Sequence, residues 1–186
     1  MAQDARNVIM AGIGGRGVMV AALTLARAAL RNYKYAVWLP SMTTAMRGGP
    51  CEATVVFSSS PIASPLVWKP EGVLIMEASQ LAQFVPRIIP GGIVVAEKEG
   101  LKDGVGRDDL KVLALPALAR AVELTGDSQV SNLILLGAYV QTTGILPVEL
   151  IEQELTERFS GRREVMTRNA AAFAEGLKLA KEHAGA

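Results

Sequence analysis

Gly12-Ile13-Gly14-Gly15-Arg16-Gly17 follows a short apolar run, Arg6-Asn7-Val8-Ile9-Met10-Ala11, and opens an apolar segment from Val18 to Leu30. A strand, a glycine turn and a helix in that order make the first unit of a nucleotide-binding type of α/β fold. The run is short, largely apolar and bounded by the turn, as in a parallel strand buried on both faces. From Val18 to Leu30 only Thr24 and Arg27 interrupt the apolar residues, too few for a helix with one wet face. Part of the outer surface of this helix is therefore expected to meet another chain.

Downstream of it, Lys34 to Leu39 has strand character, ends at Pro40 and completes a β-α-β unit with the first strand. A polar, glycine-bearing loop runs from Ser41 to Pro50. Glu52 to Phe57 alternates with β-branched residues, and Pro61 and Pro65 bracket a turn. Further strands are expected at Val73 to Met76, at Ile93 to Ala96 after Gly91-Gly92, and at Lys111 to Leu115 before Pro116. A short helix from Ser79 to Val85 follows the first of these, and a helical segment to Thr125 follows the last. From Ser131 onward the pattern is helical only. Ser131 is expected to cap a helix from Asn132 to Gln141, and Pro147 to open a second through Phe159. Arg163 to Lys181 forms a third, with Met166, Ala170, Phe173, Leu177 and Ala180 on one stripe. No repeat, low-complexity tract or linker interrupts residues 1–186, which read as a single domain.

The 186 residues are half apolar, enough for a true core, and with glycine counted the apolar share exceeds that of an average soluble domain. The excess points to surface buried by something besides this chain. A formal net charge of +1 argues against a general nucleic-acid binder. It hides an asymmetry: Ala5 to Cys51 holds Arg6, Arg16, Arg27, Arg31, Lys34 and Arg47 and no Asp or Glu, so the N-terminal quarter reads as electropositive. One cysteine, Cys51, excludes an internal disulfide, and the N-terminus lacks the features of a signal peptide, so a cytoplasmic location is expected. Ser128 to Val148 is uncharged and long enough to span a membrane. Asn132, Gln141, Thr142, Thr143 and Pro147 make it a buried helical region instead, because each polar group would be costly in lipid.

Gly12, Gly14 and Gly17 fit a G-x-G-x-x-G template, for which an Asp or Glu should stand about 20 residues further on to bond the ribose. No acid occurs between Asp4 and Glu52. That weakens an NAD or FAD site, although Arg47 could read a 2′-phosphate. Two readings stay open: a tight turn for close helix–sheet packing, or backbone N–H groups at a helix N-terminus meeting an anion. Met46-Arg47-Gly48-Gly49 pairs a guanidinium with glycines that let a partner approach, or is a solvated turn. His183, the only histidine, lies in the last four residues, so a Ser-His-Asp or Cys-His set cannot be assembled. One cysteine and one histidine are too few for a metal site of that kind or an iron–sulfur cluster, and no P-loop follows any glycine turn. Cys51 is expected as a buried small hydrophobe. The chain expects no catalytic group and no metal ligand of its own.

The order of motifs resembles the gamma subunit, or gamma domain, of the 2-oxoacid:ferredoxin oxidoreductases, which include pyruvate, 2-oxoisovalerate, 2-oxoglutarate, indolepyruvate and arylglyoxylate enzymes. Gly12 to Val18 is similar to that family's G-x-G-G-Q-G-V, with Arg16 in the glutamine's place. Arg47-Gly48-Gly49 matches its R-G-G, Pro61 to Pro65 its P-I-x-x-P turn, Asn132 to Gly137 its N-x-x-x-L-G, and Asn169 to Gly176 its N-x-x-A-F-x-x-G. Just before Arg47 the sequence departs, with Thr43, Thr44 and Ala45 where many members have a Tyr-Gly or His-Gly pair. The resemblance implies an α/β, Rossmann-like three-layer fold with a mostly parallel sheet and a helical C-terminal part. It implies a cytoplasmic hetero-oligomer of anaerobic metabolism that oxidatively decarboxylates a 2-oxoacid to an acyl-CoA. Thiamine diphosphate, Mg and iron–sulfur clusters would be held by other subunits, with coenzyme A as co-substrate and no cofactor bound by this chain alone. The implied partners are thiamine-binding alpha- and beta-type subunits and a ferredoxin-like iron–sulfur subunit, with no nucleic acid and no membrane. Gly12, Gly14, Gly15, Arg16 and Gly17 would form an anion, coenzyme A or subunit-contact loop. Thr43, Thr44, Met46, Arg47, Gly48 and Gly49 would line a substrate path or an interface. A free-standing NAD(P)- or FAD-binding reductase and a purely structural assembly subunit are the alternatives.

Overall fold

The computed structural model describes residues 5–42, 48–101 and 104–185. Its strands are β1 (Arg6–Ile13), β2 (Tyr35–Met42), β3 (Pro50–Ser58), β4 (Gly72–Ile75), β5 (Ile93–Glu97) and β6 (Lys111–Leu115). They form one sheet in the order β2-β3-β1-β4-β5-β6. β1, β4, β5 and β6 pair in parallel, while β3 runs antiparallel to both β1 and β2. Only β3 is therefore reversed, and the sheet is mostly parallel as expected. The β-α-β unit is present, with β1 and β2 parallel, but it is split, because β3 returns from β2 as a hairpin arm and inserts between β2 and β1. Pro40 does not end β2, which carries it in register with Ala53. That is tolerated because β2 is an edge strand and a missing N–H can face outward.

The helices are α1 (Val18–Ala29), α2 (Leu81–Phe84), α3 (Ala117–Thr125), α4 (Ser131–Thr143), α5 (Val148–Arg158) and α6 (Arg163–Ala184). The layers are unequal. On one face, Val8, Met10, Leu74, Val95 and Leu113 of the sheet meet apolar residues of α1, α3, α4, α5 and α6. On the other, Ile9, Ala11, Val73, Ile75 and Val94 are covered by Phe84, Val85 and Ile88 of a short helical stretch. The central strands are thus apolar at both phases of the pleat, which is why they read as continuous apolar runs.

Three expectations change. The apolar excess of α1 is absorbed within the chain only in part: α5 packs along it and Ala21, Ala22, Thr24, Leu25, Ala28 and Ala29 are buried, while Met19, Val20 and Leu23 are half-buried and Leu30 is 55% exposed. Ser131 is not a cap but the first residue of α4. Asp127 caps instead, its side chain accepting from the Gln129 N–H (2.8 Å) at the head of a 3₁₀ turn that runs into α4. On α6, Phe173 and Ala180 are buried as expected but Ala170 is exposed, and Asn169, Ala172 and Gly176 take the inner positions. Their phase is set by two close approaches. A β-carbon on Gly137 of α4 would collide with the Phe173 carbonyl, and one on Gly176 of α6 with the Ile134 carbonyl. The two glycines let the helix backbones touch. Two polar groups of the uncharged run are satisfied within it: the Thr142 and Thr143 hydroxyls donate to the Ala138 (2.8 Å) and Tyr139 (2.6 Å) carbonyls. Among the described residues no helix is long and apolar enough to cross a membrane.

The basic N-terminal quarter is also corrected, because carboxylates from later in the chain fold onto it. Arg6 meets Glu71 (3.1 Å) and Arg16 meets Glu77 (3.3 Å). Arg31 bonds Glu157 at 2.7 Å and reaches buried Glu154 at 3.4 Å, which holds the Glu157 carboxyl below the usual carboxylate range. Arg27 Nε stands 2.8 Å from Glu154 Oε1, but Oε1 has no hydrogen-bond partner, so that contact is coulombic.

Candidate functional site

Where the carboxyl end of β1 turns into α1, the glycine loop forms one wall of a cleft of about 610 Å³. Each glycine has its own reason. Gly12 packs close, since a β-carbon would stand 3.0 Å from Val18 and 3.2 Å from Met76. The Gly14 N–H donates to the Gly49 carbonyl (2.9 Å), tying this loop to the Gly48-Gly49 segment. Gly15 and Gly17 adopt φ of 95° and 77°, the left-handed region that other residues avoid. Gly17 caps α1: its carbonyl accepts from Val20 (3.0 Å) and Ala21 (3.1 Å).

The opposite wall comes from the C-terminal helices. Asn132 at the start of α4 donates its Nδ2 to the Gly17 carbonyl (3.0 Å), clamping that helix onto the glycine loop. Asn169 and Arg168 face the cleft from the first turns of α6, and Phe159 closes it from the end of α5. Met42, Pro50 and Cys51, from the adjoining ends of β2 and β3, complete it. Cys51 is half-buried rather than buried, and burial pushes its thiol pKa up, so it stands in the cleft as a protonated, poorly nucleophilic group.

Electrostatically the cleft suits an anion without being strongly basic. The first turn of α1 holds no acidic residue, so the positive end of its dipole is not compensated by the chain itself. Asn169 is 7% exposed, and its carboxamide has no hydrogen-bond partner among the described residues. Arg168 is held only loosely, 3.9 Å from Asp127 and 3.6 Å from Glu164.

Gly14, Gly15, Gly17 and Gly49 therefore line one cleft. Gly12 lies behind it as a packing residue. Arg16 is turned away toward Glu77, and Gly48 is exposed beside it with φ 75°. Thr43, Thr44, Met46 and Arg47 fall outside the described residues. Asn132 and Asn169 join the site although residue chemistry alone did not select them; their signal was their place at the head of two motifs that each end in a helix-crossing glycine. A dinucleotide is poorly served. The strand beside β1 at the loop is the start of β3, with Cys51 opposite Gly12 and Pro50 opposite Ile13. A ribose-binding acid belongs at that place, and Glu52 points to the other side of the sheet, toward Thr54 and Leu39. Among the described residues no cluster of three His, Cys, Asp or Glu could hold a metal ion.

The fold and the site define a Rossmann-like α/β chain with an anion-suited cleft and, among the described residues, no nucleophile–base pair. Residues 7–179 match the family model described as pyruvate ferredoxin/flavodoxin oxidoreductase, and the chain belongs to that family. It is 29% identical to a 2-oxoglutarate synthase subunit, KorC, of Methanothermobacter thermautotrophicus, over 98% of each chain. It is 30% identical to the pyruvate/ketoisovalerate oxidoreductases common subunit gamma of Pyrococcus furiosus, over 90% of this chain and 92% of that one. A 2-oxoglutarate:ferredoxin oxidoreductase from Magnetococcus marinus, solved with 2-oxoglutarate, coenzyme A and succinyl-CoA bound, has the same fold at a TM-score of 0.86. The match covers 97% of this chain and 32% of that one at 20% identity.

Proposed function

We propose that this chain works as a single gamma-type domain in a 2-oxoacid:ferredoxin oxidoreductase complex that oxidatively decarboxylates a 2-oxoacid to an acyl-CoA. Thiamine diphosphate with Mg and the iron–sulfur clusters belong to its partners, thiamine-binding alpha- and beta-type subunits and a ferredoxin-like subunit. The donor set of this chain, one cysteine in a half-buried site, does not fit a cluster. Its own contribution is the cleft, which borders the approach of coenzyme A or the 2-oxoacid to the neighbouring thiamine site. The observation that carries this reading is the convergence of the glycine loop, Gly49, Asn132 and Asn169 on one cleft that has no catalytic pair of its own.

Coenzyme A, when bound, supplies the thiol that accepts the acyl group. The α1 N-terminus with Gly15 and Gly17 would face an anionic part of it, Asn169 would bond a polar part, and Val18, Leu133 and Val165 would cover an apolar part. Arg47 would reach the same ligand path from the segment before Gly48. Asn169→Leu tests this in the reconstituted complex. Because Asn169 has no partner to lose, the complex assembles normally. The KM for coenzyme A rises about ten-fold, with the KM for the 2-oxoacid within about two-fold of the unsubstituted complex. Assembled complex with both constants unchanged for Asn169→Leu and Arg47→Ala overturns the ligand-path reading and leaves a structural subunit.

A further inference from the structure

At the edge of the sheet opposite β2, the ends of α4 and α6 leave a second cavity of about 500 Å³ against β6. Its apolar lining is Leu113, Ala180 and Ala184; its rim carries Lys111, Lys181 and His183, and no Asp or Glu lines it. This is unusual for the molecule. Arg6, Arg16, Arg27 and Arg31 are paired internally, and on α6 itself Lys178 stands 3.9 Å from both Glu175 and Glu182. Lys111 and Lys181 have no ion-pair partner among the described residues. Gln141, also on the rim, has its carboxamide uncommitted, whereas the neighbouring Thr142 hydroxyl is spent on the Ala138 carbonyl (2.8 Å).

We propose that this cavity binds a small monocarboxylate with a compact apolar body. Its volume lies within the range of small-molecule sites, about 300–1,000 Å³, and it combines apolar lining with a few polar groups on one side. Two ammonium groups and an imidazole are point-like donors suited to a carboxylate. The cavity offers neither an arginine fork nor a helix N-terminus, the usual means of holding a phosphate. Leu113, Ala180 and Ala184 cover the apolar body, and a purely inorganic anion would leave them in contact with water. The site stands apart from the glycine-loop cleft and does not depend on the function proposed for it.

The test is titration of the ¹⁵N-labelled full chain with isovalerate, using isovaleramide as the neutral isostere. Amide shifts are expected at residues 111–113 and 180–185, with the carboxylate binding about ten-fold more tightly than the amide. The double substitution Lys111→Ala/Lys181→Ala lowers isovalerate affinity by a similar factor. Should that variant fold poorly, the amide comparison on the unsubstituted chain decides alone. Absence of shifts at these residues up to about 10 mM ligand, equal affinity for the amide, or shifts located elsewhere overturns the proposal. So does an acidic peptide that shifts the β6 amides where isovalerate does not, which would give the open strand edge to a partner chain.

Discussion

At Gly17 the backbone enters α1 with φ of 77°, and a β-carbon there would stand 2.5 Å from Asn132 Nδ2. Gly15 has φ of 95°, but a β-carbon on it would meet nothing within 4 Å. The pair separates conformational cost from collision. Gly15→Ala is expected to lose about 1 kcal/mol in urea unfolding, the cost of a left-handed alanine alone. Gly17→Ala should lose about 2–4 kcal/mol, because it also pushes Asn132 off the Gly17 carbonyl. Equal losses at the two positions would mean that the Asn132 clamp contributes nothing. The glycine loop was legible in the sequence because strand, turn and helix each carry a local signal. Asn132 and Asn169 were legible only as motif letters. A polar residue inside an apolar helix, as Asn132 is in α4, has no periodicity of its own, and its partner Gly17 lies more than a hundred residues away.

Strand and helix existence followed from apolar periodicity, but the neighbours of each element did not. Nothing in the alternation of Glu52 to Phe57 says that this strand pairs with β1 on one side and β2 on the other, since both pairings use the same residues. The phase of α6 was misread for a related reason. A stripe drawn through large apolar residues includes Ala170, whereas the buried face is chosen by where two backbones can touch. That contact makes a prediction at this scale. Gly176→Ala must drive α6 off α4, and overpacking of a fixed backbone crossing costs about 1–3 kcal/mol or more. Asn132 heads α4 and Asn169 sits two turns before Gly176 on α6, so the displacement is transmitted to the cleft. Denaturant unfolding of Gly176→Ala, and of Gly137→Ala as its mirror on α4, should show losses of this size. A loss below about 0.5 kcal/mol at both would place the close crossing elsewhere.

Over the whole molecule the charge distribution differs most from its linear reading. Six basic residues without an acid before Glu52 suggested a positive surface ready for an acidic partner. Folding brings Glu71, Glu77, Glu154 and Glu157 onto Arg6, Arg16, Arg27 and Arg31, leaving short-range pairs whose fields largely cancel beyond a few ångströms. What the surface carries instead is apolar: Met42, Leu66 and Trp68 are 68%, 65% and 77% exposed, and Arg87 fixes the Trp68 segment by donating to the Val67 (2.7 Å) and Trp68 (3.2 Å) carbonyls. Association with the other subunits should therefore be driven by apolar burial and respond weakly to salt, since salt screens exposed charges and leaves apolar contacts intact. Raising NaCl from about 0.05 M to 0.5 M is expected to change the dissociation constant for the other subunits of the complex by less than about three-fold. A weakening of about ten-fold or more would mean that unpaired charge steers the docking. Arg47 is then the first position to neutralise, because it is the basic residue of the N-terminal quarter that stands next to Gly48-Gly49 in the sequence.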